Sequence, residues 1–181
     1  MELVLTQNDD LLVATTSPPL TIGVISDTHV SARARALPAA VLDRLSGSDI
    51  ILHAGDLVEL SVLATLQAIA PVLAVAGNCD GAEVVKELPN RLLLRVGRWH
   101  IGMVHGHGPR GTTIDRARHS FAGATVDVVV FGHSHQPINA RYGDVLFFNP
   151  GSATDRRRSP FCAVGQLHVT ESGVLGEILP L

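Results

Sequence analysis

The feature that most constrains the fold is a regular alternation of apolar runs and helical spacing in the first half of the chain. Residues 20–26 and 49–54 are nearly continuous apolar runs, which is typical of strands buried on both faces of a sheet. Residues 38–45 and 60–70 have helical spacing, and a third apolar run follows at 72–76. This β-α-β-α-β order predicts a parallel sheet with right-handed crossovers.

The second half of the chain predicts a different kind of sheet. Residues 91–96 and 99–105 flank a Gly-Arg pair and predict an antiparallel hairpin. A polar helix is predicted over 112–122, and short strands are predicted over 127–131, 138–142, 145–149, 161–169 and 174–179. Together the halves predict an α/β fold with two packed mixed sheets flanked by helices.

The length of 181 residues fits one domain, which we place at 20–181. Residues 1–19 are predicted to be an N-terminal extension that either adds an edge strand through 3–5 or packs loosely. The chain start has no basic region, so no secretory signal is expected. Pro71 interrupts the uncharged stretch 60–79, which argues against a membrane span.

Charge and cysteine content narrow the class of protein further. The formal net charge of −3 argues against a general nucleic-acid surface. Two cysteines, Cys79 and Cys162, do not form a disulfide framework, so a cytoplasmic location is expected. We expect Cys162 and His53 to lie in the core. The 91–104 hairpin is a candidate surface through which copies of the chain pair as a homo-oligomer.

Short polar clusters follow the predicted central strands, where ligands of open α/β sheets bind. Six of the nine histidines fall within residues 100–135. In an extended segment residues i and i+2 point to the same side, which predicts that Asp27 converges with His29 and His133 with His135. The clusters are Asp27-Thr28-His29, Gly55-Asp56, Gly77-Asn78-Cys79-Asp80, His105-Gly106-His107 and Gly132-His133-Ser134-His135.

Seven side chains of these clusters are the candidate donors, namely the carboxylates of Asp27 and Asp56, the imidazoles of His29, His105, His133 and His135, and the amide of Asn78. Seven donors are too many for a single tetrahedral zinc ion. The set suits two divalent ions that share a carboxylate. Oxygen and nitrogen donors without thiolate favour manganese, with iron, zinc, nickel or magnesium as alternatives. Two such ions, two ionised aspartates and a hydroxide would leave a site charge of about +1, which suits a phosphodiester monoanion.

The motifs Asp-x-His, Gly-Asp, Gly-Asn, His-Gly-His and Gly-His-x-His, in this order, resemble the calcineurin-like metallophosphoesterases over about residues 22–152. The short chain and its Gly-Asn-Cys-Asp motif resemble the small prokaryotic phosphodiesterase branch, which is related to the retromer scaffold subunit. The resemblance implies a sandwich of two mixed sheets and a water or hydroxide nucleophile that bridges two metals. It implies one metal on Asp27, His29, Asp56 and His135, and the other on Asp56, Asn78, His105 and His133.

The sequence departs from the family pattern at Cys79, where many relatives have a histidine that assists the leaving group or contacts phosphate. We assign Cys79 and Arg156 as substrate contacts, and Asn78 and His107 as catalytic residues. His107 either contacts substrate or supports a metal ligand. Arg156 begins a three-arginine run that is either a solvated face or a source of one phosphate contact.

The leading hypothesis is therefore a dinuclear metal-dependent phosphodiesterase that acts on a small phosphodiester. One alternative is a metal-bound protein-interaction scaffold with little catalysis. Another is a phosphomonoesterase.

Overall fold

A computed structural model describes residues 3–8, 11–30 and 36–181 of the chain. These residues form twelve strands and four helices. The strands are β1 (Val4–Asn8), β2 (Leu11–Thr16), β3 (Leu20–Ile25), β4 (Ile50–His53), β5 (Val72–Ala74), β6 (Arg91–Val96), β7 (Trp99–Val104), β8 (Val128–Val130), β9 (Ile138–Tyr142), β10 (Val145–Asn149), β11 (Ala163–Val169) and β12 (Val174–Pro180). The helices are α1 (Ala39–Leu45), α2 (Ser61–Gln67), α3 (Ala82–Glu87) and α4 (Thr113–Ser120).

The predicted parallel unit forms the centre of a five-stranded sheet in the order β12-β11-β3-β4-β5. Strands β3, β4 and β5 are parallel, and α1 and α2 lie in the connections between them. Every residue of β4 is buried, as expected for a strand covered on both faces. Strand β11 pairs with β3 in the antiparallel direction, which makes the sheet mixed.

The second sheet has seven strands in the order β1-β2-β6-β7-β8-β10-β9. Its centre is the predicted antiparallel hairpin of β6 and β7. Strand β2 runs parallel beside β6, and β8 runs parallel beside β7. Both long edges of the hairpin are therefore occupied by strands of the same sheet. Pairing of two copies through this hairpin or another surface stays a prediction.

Three apolar layers confirm the predicted sandwich of two mixed sheets flanked by helices. The largest lies between the sheets and includes Ile22, Leu52 and Met103. A second layer packs α1 and α2 on the outer face of the five-stranded sheet. A third packs α4 on the outer face of the seven-stranded sheet. No helix within the described residues is long and apolar enough to cross a membrane.

Two elements were not predicted, namely β2 and α3. Strands β1 and β2 both fall within the segment 1–19, where they pair with each other and extend the seven-stranded sheet. Helix α3 begins directly after the Gly-Asn-Cys-Asp motif. It thereby fills the interval between β5 and β6, for which the sequence predicted no element.

Candidate metal centre

The five polar clusters meet at one edge of the sandwich, because the loops that carry them are bonded to one another. The backbone N–H of Asp27 donates to Gly55 O at 3.0 Å, and that of His29 donates to Asp56 O at 3.0 Å. The N–H of Gly132 donates to His105 O at 3.1 Å. The loops after β3 and β4 are thus joined, as are the loops after β7 and β8.

One group of metal-ligating side chains consists of Asp27, His29 and His135, whose donor atoms all lie within 4.8 Å of one another. The Nε2 atoms of the two histidines are 3.2 Å apart, and His135 Nε2 lies 3.4 Å from Asp27 Oδ1. Asp27 and His135 are fully buried, while His29 is partly open to solvent. This group therefore offers three converging donors, of which two are buried and one is partly open to solvent.

A second group consists of Asp56, His105 and His133, again within 4.8 Å. His105 Nε2 lies 3.3 Å from Asp56 Oδ2 and 3.1 Å from Asn78 Oδ1, which brings the predicted amide ligand to the same place. Asp56 Oδ2 also lies 3.8 Å from His29 Nε2 of the first group. Asp56 thus belongs to the second group and lies next to one donor of the first.

The backbone that carries these donors is left-handed rather than extended. The φ angles of Asp27, His29, His133 and His135 are 53°, 45°, 65° and 56°. The i, i+2 argument therefore does not apply, and its prediction for one histidine pair was wrong: His133 lies with Asp56, while His135 lies with Asp27. Non-glycine residues adopt such angles only where the surrounding structure compensates their cost, and they are often found at functional sites.

Glycine is required at two of the strand ends because carboxylates approach the backbone there. A Cβ atom at Gly77 would overlap Asp56 Oδ1. A Cβ atom at Gly132 would overlap Ser26 Oγ and lie 2.7 Å from Asp27 Oδ2. These glycines let both proposed ligand carboxylates lie directly against the neighbouring strand end.

The orientation of two buried histidines tests whether this set fits metal ions. His105 Nδ1 donates to Ala54 O at 2.7 Å, and His135 Nδ1 donates to Asp155 O at 2.6 Å. A carbonyl oxygen only accepts, so each Nδ1 carries a proton and each Nε2 is left facing a carboxylate oxygen. Such a contact needs a cation or a second proton between its atoms, and a backbone acceptor at the other nitrogen is typical of metal-ligating histidine.

The pKa values of the metal-free chain agree with this arrangement. Burial lowers the pKa of His105, but its hydrogen bond with Asp56 and the nearby carboxylate charges outweigh burial and raise it. Burial also acts to lower the pKa of His135, but its hydrogen bonds with Asp27 and the Asp155 backbone and the Asp27 charge together outweigh burial and raise it. For Asp56, burial acts upward, but the bonds from His105 and the Cys79 N–H hold its pKa well below the usual range. A positive charge on these two histidines is thus favoured next to the carboxylates, as a cation would be.

Two serines outside the predicted ligand set, Ser26 and Ser152, help to hold Asp27 together with the backbone of His133. Ser26 Oγ donates to Asp27 Oδ2 at 2.7 Å, and the N–H of His133 donates to the same oxygen at 2.9 Å. Ser152 Oγ donates to Asp27 O at 2.7 Å, although the sequence of the Asn-Pro-Gly-Ser segment indicates only a turn. Ser152 follows the end of β10, and β10 runs parallel to β8. From this position, its location at this edge of the sandwich could have been predicted.

Asp80 is the other residue whose role was not predicted from the sequence. Its carboxylate accepts the backbone N–H groups of Gly77 and Val58, both at 2.6 Å, and of Asp56 at 3.2 Å. A single side chain therefore fixes the loop after β4 against the loop after β5. The position of Asp80 in the Gly-Asn-Cys-Asp motif was the sequence signal that could have indicated this role.

Cys79 lies in contact with the proposed shared carboxylate. Its backbone N–H donates to Asp56 Oδ1 at 2.8 Å, and its Sγ accepts a hydrogen bond from Asn78 Nδ2 at 3.3 Å. Its Sγ also forms a third group of donors with His29 and Asp56, within 4.8 Å. Burial and the Asp56 carboxylate raise the pKa of this thiol, so it is protonated at neutral pH in the metal-free chain.

His107 lies on the exposed rim of the site. Its ring centroid is 5.5 Å from that of His105 and 6.4 Å from that of His133. Burial, followed by the charge of His105, lowers its pKa. Its loop is fastened by Arg116, whose guanidinium donates to Gly106 O at 2.8 Å and to Gly111 O at 2.6 Å.

Two arginines of the three-arginine run make different contacts near the site. Arg156 donates to Ser159 O at 3.0 Å, within its own loop. Arg157 lies 3.5 Å from the Asp155 carboxylate, and its charge acts on both Cys79 and His135. Arg157 is thus connected through Asp155 to His135, whose Nδ1 donates to Asp155 O, although Arg156 was the predicted contact.

Comparison with known proteins identifies the family. The calcineurin-like phosphoesterase superfamily domain matches residues 20–172. A probable metallophosphoesterase of Methanothermobacter thermautotrophicus is 40% identical over 134 residues, which is 74% of this chain and 77% of the relative. The phosphodiesterase MJ0936 of Methanocaldococcus jannaschii is 27% identical over 142 residues, which is 72% of this chain and 82% of the relative.

Among solved structures, a single-substitution variant of Vps29 from Entamoeba histolytica has a similar fold. Its TM-score is 0.71 at 26% sequence identity, with 90% of this chain and 99% of that chain covered. Both the fold and the order of the strand-end motifs therefore agree with the match to the family. The chain belongs to the calcineurin-like phosphoesterase superfamily, in the small branch that includes these relatives.

Proposed function

We propose that the protein is a dinuclear metal-dependent phosphodiesterase. The observation that carries this proposal is the position of Asp56, whose Oδ2 lies 3.3 Å from His105 Nε2 and 3.8 Å from His29 Nε2. One carboxylate thus lies next to donors of both groups, as a pair of neighbouring cations requires. Membership of the superfamily supports a metal-dependent phosphoesterase in general.

The residues fit the two proposed positions. Asp27, His29, Asp56 and His135 would hold one ion, and Asp56, Asn78, His105 and His133 the other. When bound, two divalent ions supply an acidified water and neutralise charge on the phosphoryl oxygens. The oxygen and nitrogen donors favour manganese, although the Cys79 sulfur close to His29 and Asp56 adds a donor that suits zinc.

The remaining side chains have roles around the substrate. We assign His107, on the rim next to His105, and Arg157, next to Asp155, to contact the substituents and oxygens of a phosphodiester. Asn78 Oδ1 and its Nδ2 group face His105 and Cys79, so this amide links the donors to the substrate side of the cleft. The name of MJ0936 supports a diester rather than a monoester substrate.

The test is hydrolysis of bis(4-nitrophenyl) phosphate by manganese-loaded protein. Asp56→Asn is expected to abolish turnover, while Asp49→Asn leaves it unchanged, because Asp49 lies at the opposite end of β4 and accepts the Thr21 N–H at 2.8 Å. Equal activity of wild type and Asp56→Asn would reject the proposal. Faster hydrolysis of 4-nitrophenyl phosphate than of the diester would favour a phosphomonoesterase.

The fold similarity to Vps29 favours a second candidate, a metal-bound interaction scaffold with little catalysis. The two candidates differ in turnover rather than in metal binding. Stoichiometric metal binding without hydrolysis of either ester supports the scaffold. Hydrolysis that depends on Asp56 rejects it.

A further inference from the structure

A cavity of about 770 Å³ opens beside the first group of donors. Its described lining comes from residues 28–30, residues 36–40 at the start of α1, and residues 153–162, together with Leu181. The His29 imidazole belongs to its wall, so the cavity and the metal centre share a side chain. Its volume lies within the range of about 300–1,000 Å³ that is usual for small-molecule sites.

The walls of this cavity are mainly short apolar side chains. Ala36, Pro38, Ala40 and Ala153 contribute to them. The Thr154 hydroxyl, also in the lining, is already engaged, since it donates to Thr28 O at 2.6 Å. Among the described lining residues there is no lysine or arginine, and the one side-chain carboxylate is that of Asp155.

The side of the cavity next to the donors is preformed. Ala153 is 2% exposed, and Ala163 N–H donates to Ser152 O at 2.9 Å. The hydroxyl of Ser152 is bonded to Asp27 O, so this wall and the loop that carries the donors form one connected unit. A ligand would therefore meet a preformed wall on the side next to the donors.

We propose that this cavity binds an uncharged, ring-sized organic substituent of the phosphodiester, with the phosphoryl group at the neighbouring donors. The inference rests on the proposed function, which it deepens by naming a class of substrate. Apolar walls of small residues favour a flat aromatic or similar apolar group, because its burial removes apolar surface from water on both sides. A substituent as small as methyl would leave the cavity unused.

Cys162 provides a binding readout that does not depend on turnover. It immediately precedes β11, is half-buried and lines the cavity, so the expectation of a core residue within a strand was wrong. Alkylation of Cys162 by iodoacetamide, measured on its peptide by mass spectrometry, reports occupation of the cavity. Cys79 is exposed and does not line the cavity, so its alkylation is read separately in the same sample.

The probes are diphenyl phosphate and dimethyl phosphate, added to manganese-loaded protein. Diphenyl phosphate at about ten times its Kd is expected to slow alkylation of Cys162 about tenfold, and dimethyl phosphate is expected to leave it unchanged. Equal protection by both probes, or protection by neither, overturns the inference. If diphenyl phosphate protects Cys162 but no ester is hydrolysed, the cavity assignment stands and the proposed function is rejected. If esters are hydrolysed but Cys162 is not protected, the proposed function stands and the cavity assignment is rejected.

A kinetic experiment uses one leaving group and two substituents. Ala40→Phe places a ring in the cavity and is expected to lower kcat/KM for phenyl 4-nitrophenyl phosphate about tenfold. For methyl 4-nitrophenyl phosphate the change should stay within about twofold. Ala64→Phe, at an exposed position of α2, is the matched control and should affect neither ester. An equal loss on both esters contradicts the inference.

Discussion

The Asp80 carboxylate accepts the backbone N–H of Asp56 at 3.2 Å, so a residue after β5 fixes the residue proposed to contact both metal ions. The same carboxylate accepts the N–H groups of Val58 and Gly77. In Asp80→Asn one of the two side-chain oxygens becomes an amide that faces these donors. We expect the variant to bind Mn²⁺ about 10–100-fold more weakly, as measured by isothermal titration calorimetry.

Asp127 provides the matched control for this measurement. Its carboxylate also accepts a backbone N–H, that of His100 at 2.8 Å, but at the opposite end of β7 from His105. Asp127→Asn should therefore keep the wild-type affinity for Mn²⁺. The positioning role of Asp80 is contradicted by a folded Asp80→Asn protein that binds the ion as tightly as the wild type does.

Cys79→His restores the residue that many relatives have after the asparagine. The raised pKa of the Cys79 thiol keeps it neutral, and a neutral thiol is a weak hydrogen-bond donor. A histidine there could protonate a leaving oxygen, which is typically worth about 10²–10⁴-fold. We expect a gain on diesters with alkoxide leaving groups and little gain with 4-nitrophenolate, measured as kcat on matched substrates.

Cys79→Ser separates the side chain from the backbone at this position. The Cys79 N–H donates to Asp56 Oδ1, and both variants retain that contact. Cys79→Ser should therefore keep the wild-type rate with 4-nitrophenolate. A uniform rise or fall of Cys79→His on all leaving groups would argue for a change in metal binding instead of proton transfer.

Much of the fold could be predicted because its signals are local. Strands β3 and β4 are apolar on both faces, and each is followed by a polar cluster at the edge where parallel strands end. Strand β2 was not predicted because it is stabilised by parallel pairing with β6, which lies far away in the sequence. Helix α3 was not predicted because six residues are too few for a helical period to be recognised in the sequence.

The site was predictable in composition but not in its internal arrangement. Spacing alone placed His133 with His135, whereas the left-handed backbone at both residues directs them to different donor groups. The family resemblance had separated them, and the geometry agrees with that separation. Asp80 acts through hydrogen bonds to residues 3 to 24 positions away, which no local pattern indicates.

Arg157 is expected to contribute more to substrate binding than Arg156. The guanidinium of Arg157 acts electrostatically on Cys79 and His135, whereas that of Arg156 is bonded to Ser159 O. Arg157→Gln should raise KM for bis(4-nitrophenyl) phosphate about tenfold, with a smaller change in kcat. The reason is that Arg157 would attract the phosphate equally in the ground state and the transition state, and the loss of such an attraction changes mainly KM. Arg156→Gln is its neighbouring control, and a larger effect on KM there would restore the assignment made from sequence.

His53 is fully buried behind the site, and its position predicts acid sensitivity of the metal-free protein. Its Nε2 lies 3.1 Å from Thr28 Oγ1, while Nδ1 has no hydrogen-bond partner among the described residues. Burial is the main cause that lowers the pKa of His53 from 6.5 to about 4. The unfolded chain, in which this pKa is near 6.5, binds more protons than the folded chain between these two values.

The contribution of His53 to stability is therefore fully present above pH 6.5 and is lost as the pH falls toward 4. At pH 5 the expected loss is about 2 kcal/mol relative to pH 7. Urea unfolding in the presence of a chelator should show this loss in the wild type and a smaller one in His53→Gln. His119→Gln, which changes an exposed histidine of α4, should retain the wild-type loss. His53→Gln removes the buried proton acceptor next to Thr28. If this variant still loses as much stability as the wild type between pH 7 and pH 5, the acid sensitivity comes from other groups.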